Sequence, residues 1–335
     1  HMKVALYFES EKFIQTSGIG RAFAHQKMAL ESAGISYTTD PEDTYDILHI
    51  NTVGMNSSNA IDHARKQGAK VIYHAHSTEE DFRNSFVLSN QIAPFVRRHL
   101  IHNYSMADAI ITPTPYSKRL LENYGIDLPI YAVSNGIEIN RYKYDAEEVK
   151  AFRRYFSLSD DQKVVIGVGL YFERKGIQDF MEVAKYFPEL TFIWFGYTPL
   201  YTVPQSVRHV IKSAPRNVIL PGYVKGPIIE GAYSSADCFF FPSYEETEGI
   251  VVLEALASKC PVLIRDIPVY ADWLVDGVHC HKGNNNLEFV DKITKIINKT
   301  YPSCAEAAYA VAAERDIKII GQELKAIYTK VRNTE

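Results

Sequence analysis

Two glutamates, Glu246 and Glu254, stand seven residues apart in the stretch FFFPSYEETEGIVVLEALASKCPVLIRD (Phe239 to Asp266). An apolar strand-like run ends at Pro242, a carboxylate-rich loop follows, and helical spacing starts near Gly249. Glu246 therefore falls in the loop. Glu254 falls in the second turn of the helix, where it interrupts the apolar run VVLEALA. A carboxylate accepts several hydrogen bonds, which suits Glu254 to a vicinal diol such as that of a ribose and Glu246 to sugar hydroxyls. The backbone N–H groups of Thr247, Glu248, Gly249 and Ile250 form a helix N-terminus, a site for negative charge. Taken singly, each glutamate fits a solvated loop or an exposed helix position equally well.

Four other segments carry candidate chemistry. In GLYFERKGIQDF (Gly169 to Phe180), Arg174 and Lys175 directly precede Gly176 and a helix, so two cations and a helix N-terminus coincide, as a diphosphate requires. Gly18-Ile19-Gly20, in the run SGIG after the first strand, reads as a turn through which backbone approaches a ligand closely. It is not a GxGxxG fingerprint, which argues against a nicotinamide dehydrogenase. His76, in YHAHSTEEDF, falls just past a strand end; its His-x-His spacing lacks an evident third metal ligand. PGYVKG (Pro221 to Gly226), with Tyr223 and Val224, is a strand-to-loop passage or an ordinary glycine-bounded turn.

The elements that must hold these residues are short apolar runs alternating with helical stretches. VALYFE, DILHI, KVIYHAH and AIITPT come first, and a charged helical stretch after Tyr142 marks a restart. KVVIGVG, TFIWFG, NVILPG, DCFFFPS and CPVLIRD follow, continuous apolar runs of the kind found in parallel sheets covered on both faces. Two successive α/β halves are expected, with a boundary near residues 140–160 and a cleft between them. The expected domains are 3–145, joined by a C-terminal helix at 306–333, and 146–305. The final stretch from Ala305 to Val331 reads as helical.

Composition narrows the class. At 335 residues, 46% hydrophobic and 23% charged, the chain suits two ordinary globular domains. A net charge of −4 gives no reason to expect a nucleic-acid partner. Cys238, Cys260, Cys280 and Cys304 form no CxxC pair and read as free thiols in a reducing cytosol. His1 and Met2 read as a cloning remnant. No secretory pattern follows them, and no apolar run approaches the ~20 residues that span a bilayer. A cytoplasmic protein, soluble or bound to a membrane surface, is expected.

The Glu-x7-Glu arrangement within PSYEETEGIVVLEALA, preceded by the Arg174-Lys175 pair, resembles the signature of the family-4 retaining glycosyltransferases of GT-B fold. Thr247-Glu248-Gly249 departs from the usual Gly-aromatic-Gly and adds the carboxylate Glu248, whose role the likeness does not supply. The resemblance implies two Rossmann-like domains facing each other across a cleft. It implies Arg174 and Lys175 on the donor diphosphate, Gly18 and Gly20 facing it, and His76 at the transferred sugar. It also implies backbone at Tyr223 and Val224 on the base, and neither a cofactor nor an obligatory metal.

From Phe95 to Tyr104 the sequence combines Phe95, Leu100 and Ile101 with Arg97 and Arg98, either a crossover helix or a basic amphipathic helix lying in an anionic membrane surface. HSTEEDFRNSF, NQIAPFVRRHL, ITPTPYSKRLL and EETEGIVVLEALA resemble the bacterial diacylglycerol glycosyltransferases of lipoteichoic-acid glycolipid anchors, most of all the second-step α-galactosyl enzymes. That likeness implies transfer of a hexose, galactose before glucose, from a UDP-sugar onto monoglucosyldiacylglycerol. It places the enzyme on the inner face of the cell membrane. The alternatives are glucosyl transfer onto diacylglycerol directly, a soluble sugar acceptor, a sugar-nucleotide epimerase, or a non-catalytic partner subunit.

Overall fold

The structure, a computed structural model, describes residues 1–9, 18–224 and 226–335; Ser17 of SGIG and Lys225 of PGYVKG lie outside the described residues. Two compact units result. One comprises His1–Phe82, Ile92–Glu138 and Arg315–Glu335; the other comprises Arg83–Gln91 and Ile139–Glu314.

The first unit is built on a parallel sheet of β1 (Lys3–Tyr7), β2 (Ser36–Thr38), β3 (Ile47–Ile50), β4 (Lys70–His74), β5 (Ala109–Thr112) and β6 (Ile130–Ala132), in the order β2-β1-β3-β4-β5-β6. Apolar side chains stand on both faces because helices cover both, and alternate residues divide between them. Leu48, Val71, Tyr73 and Ile110 pack on one side. Ile47, Ile72, Ala109 and Ile111 pack on the other, under Phe23, Ala29 and Leu30 of the helix Gly18–Ser32 and Ile320, Leu324 and Tyr328 of the helix Ile317–Arg332. The last two helices touch closely: a Cβ on Gly321 would lie 2.4 Å from the carbonyl oxygen of Ala29.

Two sequence expectations are corrected here. Gly18, Ile19 and Gly20 form the first turn of a helix rather than a free turn, since the buried stripe of Ala22, Phe23, Ala29 and Leu30 extends the helical register back to them. The C-terminal stretch is not one helix but two, Ala305–Ala313 and Ile317–Arg332. The chain breaks between them, where Asp316 caps the second helix and its backbone bridges to Ile137.

The second unit carries β7 (Val164–Val168), β8 (Thr191–Phe195), β9 (Val218–Gly222), β10 (Cys238–Phe241), β11 (Val262–Arg265) and β12 (His281–Gly283), all parallel, in the order β12-β11-β10-β7-β8-β9. The strand order reverses between β7 and β10, as in dinucleotide-binding sheets. Phe180, Phe192, Trp194, Phe240 and Phe289 fill one face with interlocked aromatic rings. All four cysteines are free thiols; Cys238, Cys260 and Cys280 are buried and Cys304 is half-buried.

Candidate active site

Ligands of open α/β sheets bind beyond the carboxyl ends of the strands, where the order reverses. In the second unit that place lies after β7 and β10, and both loops carry the charged residues singled out in the sequence. After β7 a short turn, Glu173–Lys175, is closed by Gly176 at φ 78°. A Cβ there would meet the Pro242 carbonyl oxygen at 2.4 Å, so only glycine lets this turn rest against the end of β10. The contact brings together residues 71 positions apart: Lys175 Nζ donates to Glu246 Oε1 at 2.6 Å. Arg174 Nη1 lies 3.7 Å from the same oxygen, and Ser243 Oγ donates to it at 2.9 Å.

Glu246 is buried. Burial by itself would raise its carboxyl, but the charges of Lys175 and Arg174 and the hydrogen bonds outweigh it and hold the group below the ordinary glutamate value. Arg174 is equally fixed. Its amide donates to the Asn84 carbonyl at 2.8 Å, Nη1 donates to the Glu245 carbonyl at 3.1 Å, and Nε donates to Ser85 Oγ at 3.4 Å. The loop after β10 has a further brace that the sequence did not announce. Arg265 stacks 3.7 Å above the Tyr244 ring, donates to the Pro242 carbonyl at 3.0 Å and pairs with Asp179 at 3.2 Å.

Gly249, at φ 103°, opens the helix Ile250–Ala257, all of whose residues are buried. Glu254 is thus no exposed helix position. Its Oε1 accepts from the Tyr233 hydroxyl at 2.9 Å and its Oε2 accepts from the Tyr142 hydroxyl. Two phenols pre-orient this carboxylate, and neither was singled out in the sequence. Glu248 is buried and Thr247 half-buried. Tyr270, also missed, is fully buried; its hydroxyl finds no hydrogen-bond partner among the described residues and lies 3.6 Å from where a Cβ on Gly249 would stand. Tyr223, exposed, and Val224, half-buried, follow β9, the edge strand two places from β7.

In the first unit His76 lies two residues past β4. It is buried, hydrogen-bonded through Nε2 to Asn51 Oδ1 at 2.7 Å, and stacked on His74 with ring centroids 4.2 Å apart. Burial pushes its imidazole down to about 3, so the ring is neutral at physiological pH. His49 and His74 also stack, with His49 Nε2 2.8 Å from His74 Nδ1. Among the described residues no group of three or more His, Cys, Asp or Glu is arranged to hold a metal.

Of the two readings of Phe95 to Tyr104, packing as a crossover helix accounts for its C-terminal half. The helix runs Ser89–Tyr104, but Leu100 and Tyr104 belong to the core, Ile101 packs against it, and Arg97 lies over the Tyr124 ring at 4.7 Å. The exposed apolar side chains come earlier: Phe86, Val87, Leu88, Ile92 and Phe95, the last 64% exposed with Arg98 over its ring. Crossover packing claims the C-terminal half of the helix and leaves the run before it uncovered. Among the described residues, no helix is long and apolar enough to cross a membrane.

The model for glycosyl transferases group 1 matches residues 149–312, and that for glycosyltransferase family 4 matches residues 38–141. The chain is 53% identical over 331 residues to a processive diacylglycerol alpha-glucosyltransferase of Acholeplasma laidlawii, covering 98% of each chain. The chain belongs to the family-4, group 1 glycosyltransferases. This glycosyltransferase is also 27% identical over 230 residues to an alpha-galactosylglucosyldiacylglycerol synthase of Streptococcus pneumoniae, covering 67% of this chain and 61% of that one. Its fold matches a crystal structure of Anabaena HepE with UDP and glucose at a TM-score of 0.78, with 18% identity over 98% of this chain and 100% of that one. The two Rossmann-like α/β units expected from the sequence are therefore observed, each on a six-stranded parallel sheet, and the enzyme class is glycosyl transfer.

Proposed function

We propose that this glycosyltransferase moves glucose from UDP-glucose onto diacylglycerol, and again onto the glucosylated product, with retention of the α configuration. One observation carries the reading: 53% identity, across nearly the whole of both chains, to a processive diacylglycerol alpha-glucosyltransferase. It replaces the galactosyl transfer onto monoglucosyldiacylglycerol expected from the sequence. The galactosyl relative is far more distant and is matched over only part of its length.

In this reading the second unit holds the donor. Glu254, set by Tyr142 and Tyr233, receives the ribose hydroxyls, and the backbone at Tyr223 and Val224 meets the base. Arg174, Lys175 and the N–H groups of Thr247 to Ile250 receive the diphosphate, and Glu246 receives hexose hydroxyls. The bond from the anomeric carbon to the β-phosphate oxygen breaks as the acceptor oxygen attacks from the same face. The acceptor's proton passes to the departing diphosphate. Charge building on that diphosphate is met by the two cations, so no metal or cofactor is required. The first unit supplies Gly18, Gly20 and His76 and binds the acceptor. The apolar run Phe86 to Phe95, with Arg97 and Arg98, rests on an anionic membrane surface at the cytoplasmic face.

The test offers UDP-glucose or UDP-galactose against diacylglycerol or monoglucosyldiacylglycerol in anionic micelles, with products read by mass spectrometry. Mono- and dihexosyl lipids formed from UDP-glucose and diacylglycerol are expected. Product from UDP-galactose and the glucosylated acceptor alone would overturn the assignment.

A further inference from the structure

Behind His76 the first unit buries a polar network reaching from the loop after β3 to the C-terminal helix. Asn51 and Gln26 form a reciprocal amide pair: Gln26 Nε2 donates to Asn51 Oδ1 at 2.7 Å, and Asn51 Nδ2 donates to Gln26 Oε1 at 2.9 Å. A pair of this kind has two self-consistent orientations, with both amides flipped together. The neighbouring backbone selects one of them. The atom of Asn51 nearest the Tyr7 carbonyl oxygen, at 3.4 Å, must be the N–H-bearing nitrogen, since an oxygen there would face another oxygen.

That choice propagates. Asn51 Oδ1 can only accept, so His76 Nε2, 2.7 Å away, must carry the proton. Gln26 Nε2 can only donate, so His74 Nδ1, 3.2 Å away, must accept. His49 Nε2 then donates to His74 Nδ1 at 2.8 Å, and the Tyr328 hydroxyl donates to His49 Nδ1 at 2.5 Å. The proton of His74 is left on Nε2, which is buried and has no partner among the described residues. Burial depresses all three imidazoles, His49 and His76 to about 3 and His74 well below its ordinary value, so the network sets tautomers, not charges.

We infer that Asn51 is a positioning residue, whose side-chain carbonyl, fixed by Gln26 and the Tyr7 carbonyl, holds His76 as the Nε2–H tautomer and leaves Nδ1 as its lone-pair nitrogen. Any hydrogen bond His76 makes through Nδ1 to a substrate hydroxyl is then one it accepts. So weak a base orients that hydroxyl without removing its proton. The consequence for turnover rests on the reading of His76 as a contact of the transferred sugar; the tautomer itself does not.

The experiment is a long-range ¹H–¹⁵N correlation spectrum of the full chain labelled with ¹⁵N-histidine at pH 7, with His76→Gln identifying the His76 signals. The expected spectrum shows neutral Nε2–H tautomers for His49, His74 and His76, and Asn51→Leu turns the His76 signals into a tautomer mixture. Asn51→Leu should also lower kcat with UDP-glucose by about 10- to 100-fold, with KM for the donor changed by less than about threefold, as expected for a misplaced active-site group. A His76 protonated at Nδ1 or doubly protonated, or a spectrum unmoved by Asn51→Leu, overturns the inference. If the tautomers are as expected but His76→Gln turns over like the native enzyme, the positioning stands and His76's contact with the sugar falls.

Discussion

Replacing Lys175 by methionine would separate the structural from the chemical work of the ion cluster. At an effective dielectric of about 20, the Lys175–Glu246 attraction across 2.6 Å is about 6 kcal/mol, and that of Arg174 across 3.7 Å is about 4 kcal/mol. Those attractions offset a desolvation cost of several kcal/mol for a carboxylate only 6% exposed. Losing a partner of a buried pair costs ~3–5 kcal/mol when the other charge is stranded, but Arg174 and Ser243 still hold Glu246, so about 2–3 kcal/mol is expected at pH 7. At ~3 °C per kcal/mol that is a fall in Tm of about 6–9 °C, readable by scanning calorimetry.

The sign of the pH dependence follows from Glu246. In the native protein its pKa is depressed, so its contribution is present above the unfolded value near 4.5 and is lost as pH falls through the folded one. In Lys175→Met burial gains on the remaining cation and the pKa rises, so the variant's deficit should shrink between about pH 7 and 5. Adding Glu246→Gln removes the stranded charge and should return most of the lost Tm. Turnover should stay down by about 10²–10³ if, as proposed, Lys175 is the cation that faces the leaving diphosphate. A double variant no more stable than Lys175→Met alone would refute the stranded-charge account.

Tyr142→Phe, which removes one of the two hydroxyls holding Glu254, should raise KM for the UDP-sugar by about 5- to 20-fold with kcat nearly unchanged, the cost of about one lost charge-assisted hydrogen bond in a binding residue; a change in kcat alone would move Glu254 away from the ribose. Leu88 is 62% exposed at φ 66°, so Leu88→Gly removes apolar surface while relieving ~1 kcal/mol of left-handed backbone, which offsets the unfolded-state entropy of glycine. It should leave Tm almost unchanged yet weaken flotation with anionic liposomes, and equal flotation would place the membrane surface elsewhere.

The parts of this protein written locally in the chain were legible. Continuous runs such as CFFF and TFIWF are strands because both faces of each sheet are covered, and the Glu246–Glu254 spacing follows from loop and helix geometry alone. What escaped reading depends on tertiary partners. The edge strands Ser36–Thr38 and His281–Gly283 are three residues long and largely polar, too short for periodicity to show. The tyrosines on Glu254 and the pairing of Lys175 with Glu246 join residues 21 to 112 positions apart. Leu100 and Phe95 have similar character in sequence, and only packing buries one and exposes the other. Glucose and galactose differ in one hydroxyl's orientation, and no motif in the sequence distinguishes them.

On the proposed function, the ion cluster is also a way for a buried site to stay attractive to a diphosphate. Two cations buried without a counter-ion would cost more desolvation than the fold recovers, whereas a strictly paired cluster would have no net pull on an anion. Arg174 and Lys175 share one carboxylate oxygen of Glu246 in a single contact group, at the point where the strand order reverses. An ammonium has three protons, so Lys175 can keep Glu246 and still donate to a phosphate oxygen. In the proposed reading Glu246 does two things at once. It lowers the cost of burying the cations, and it holds an ionised oxygen in place for hexose hydroxyls before any donor arrives. Little reorganisation is then left for the moment when charge develops on the leaving group, which is where a preorganised site gains its rate.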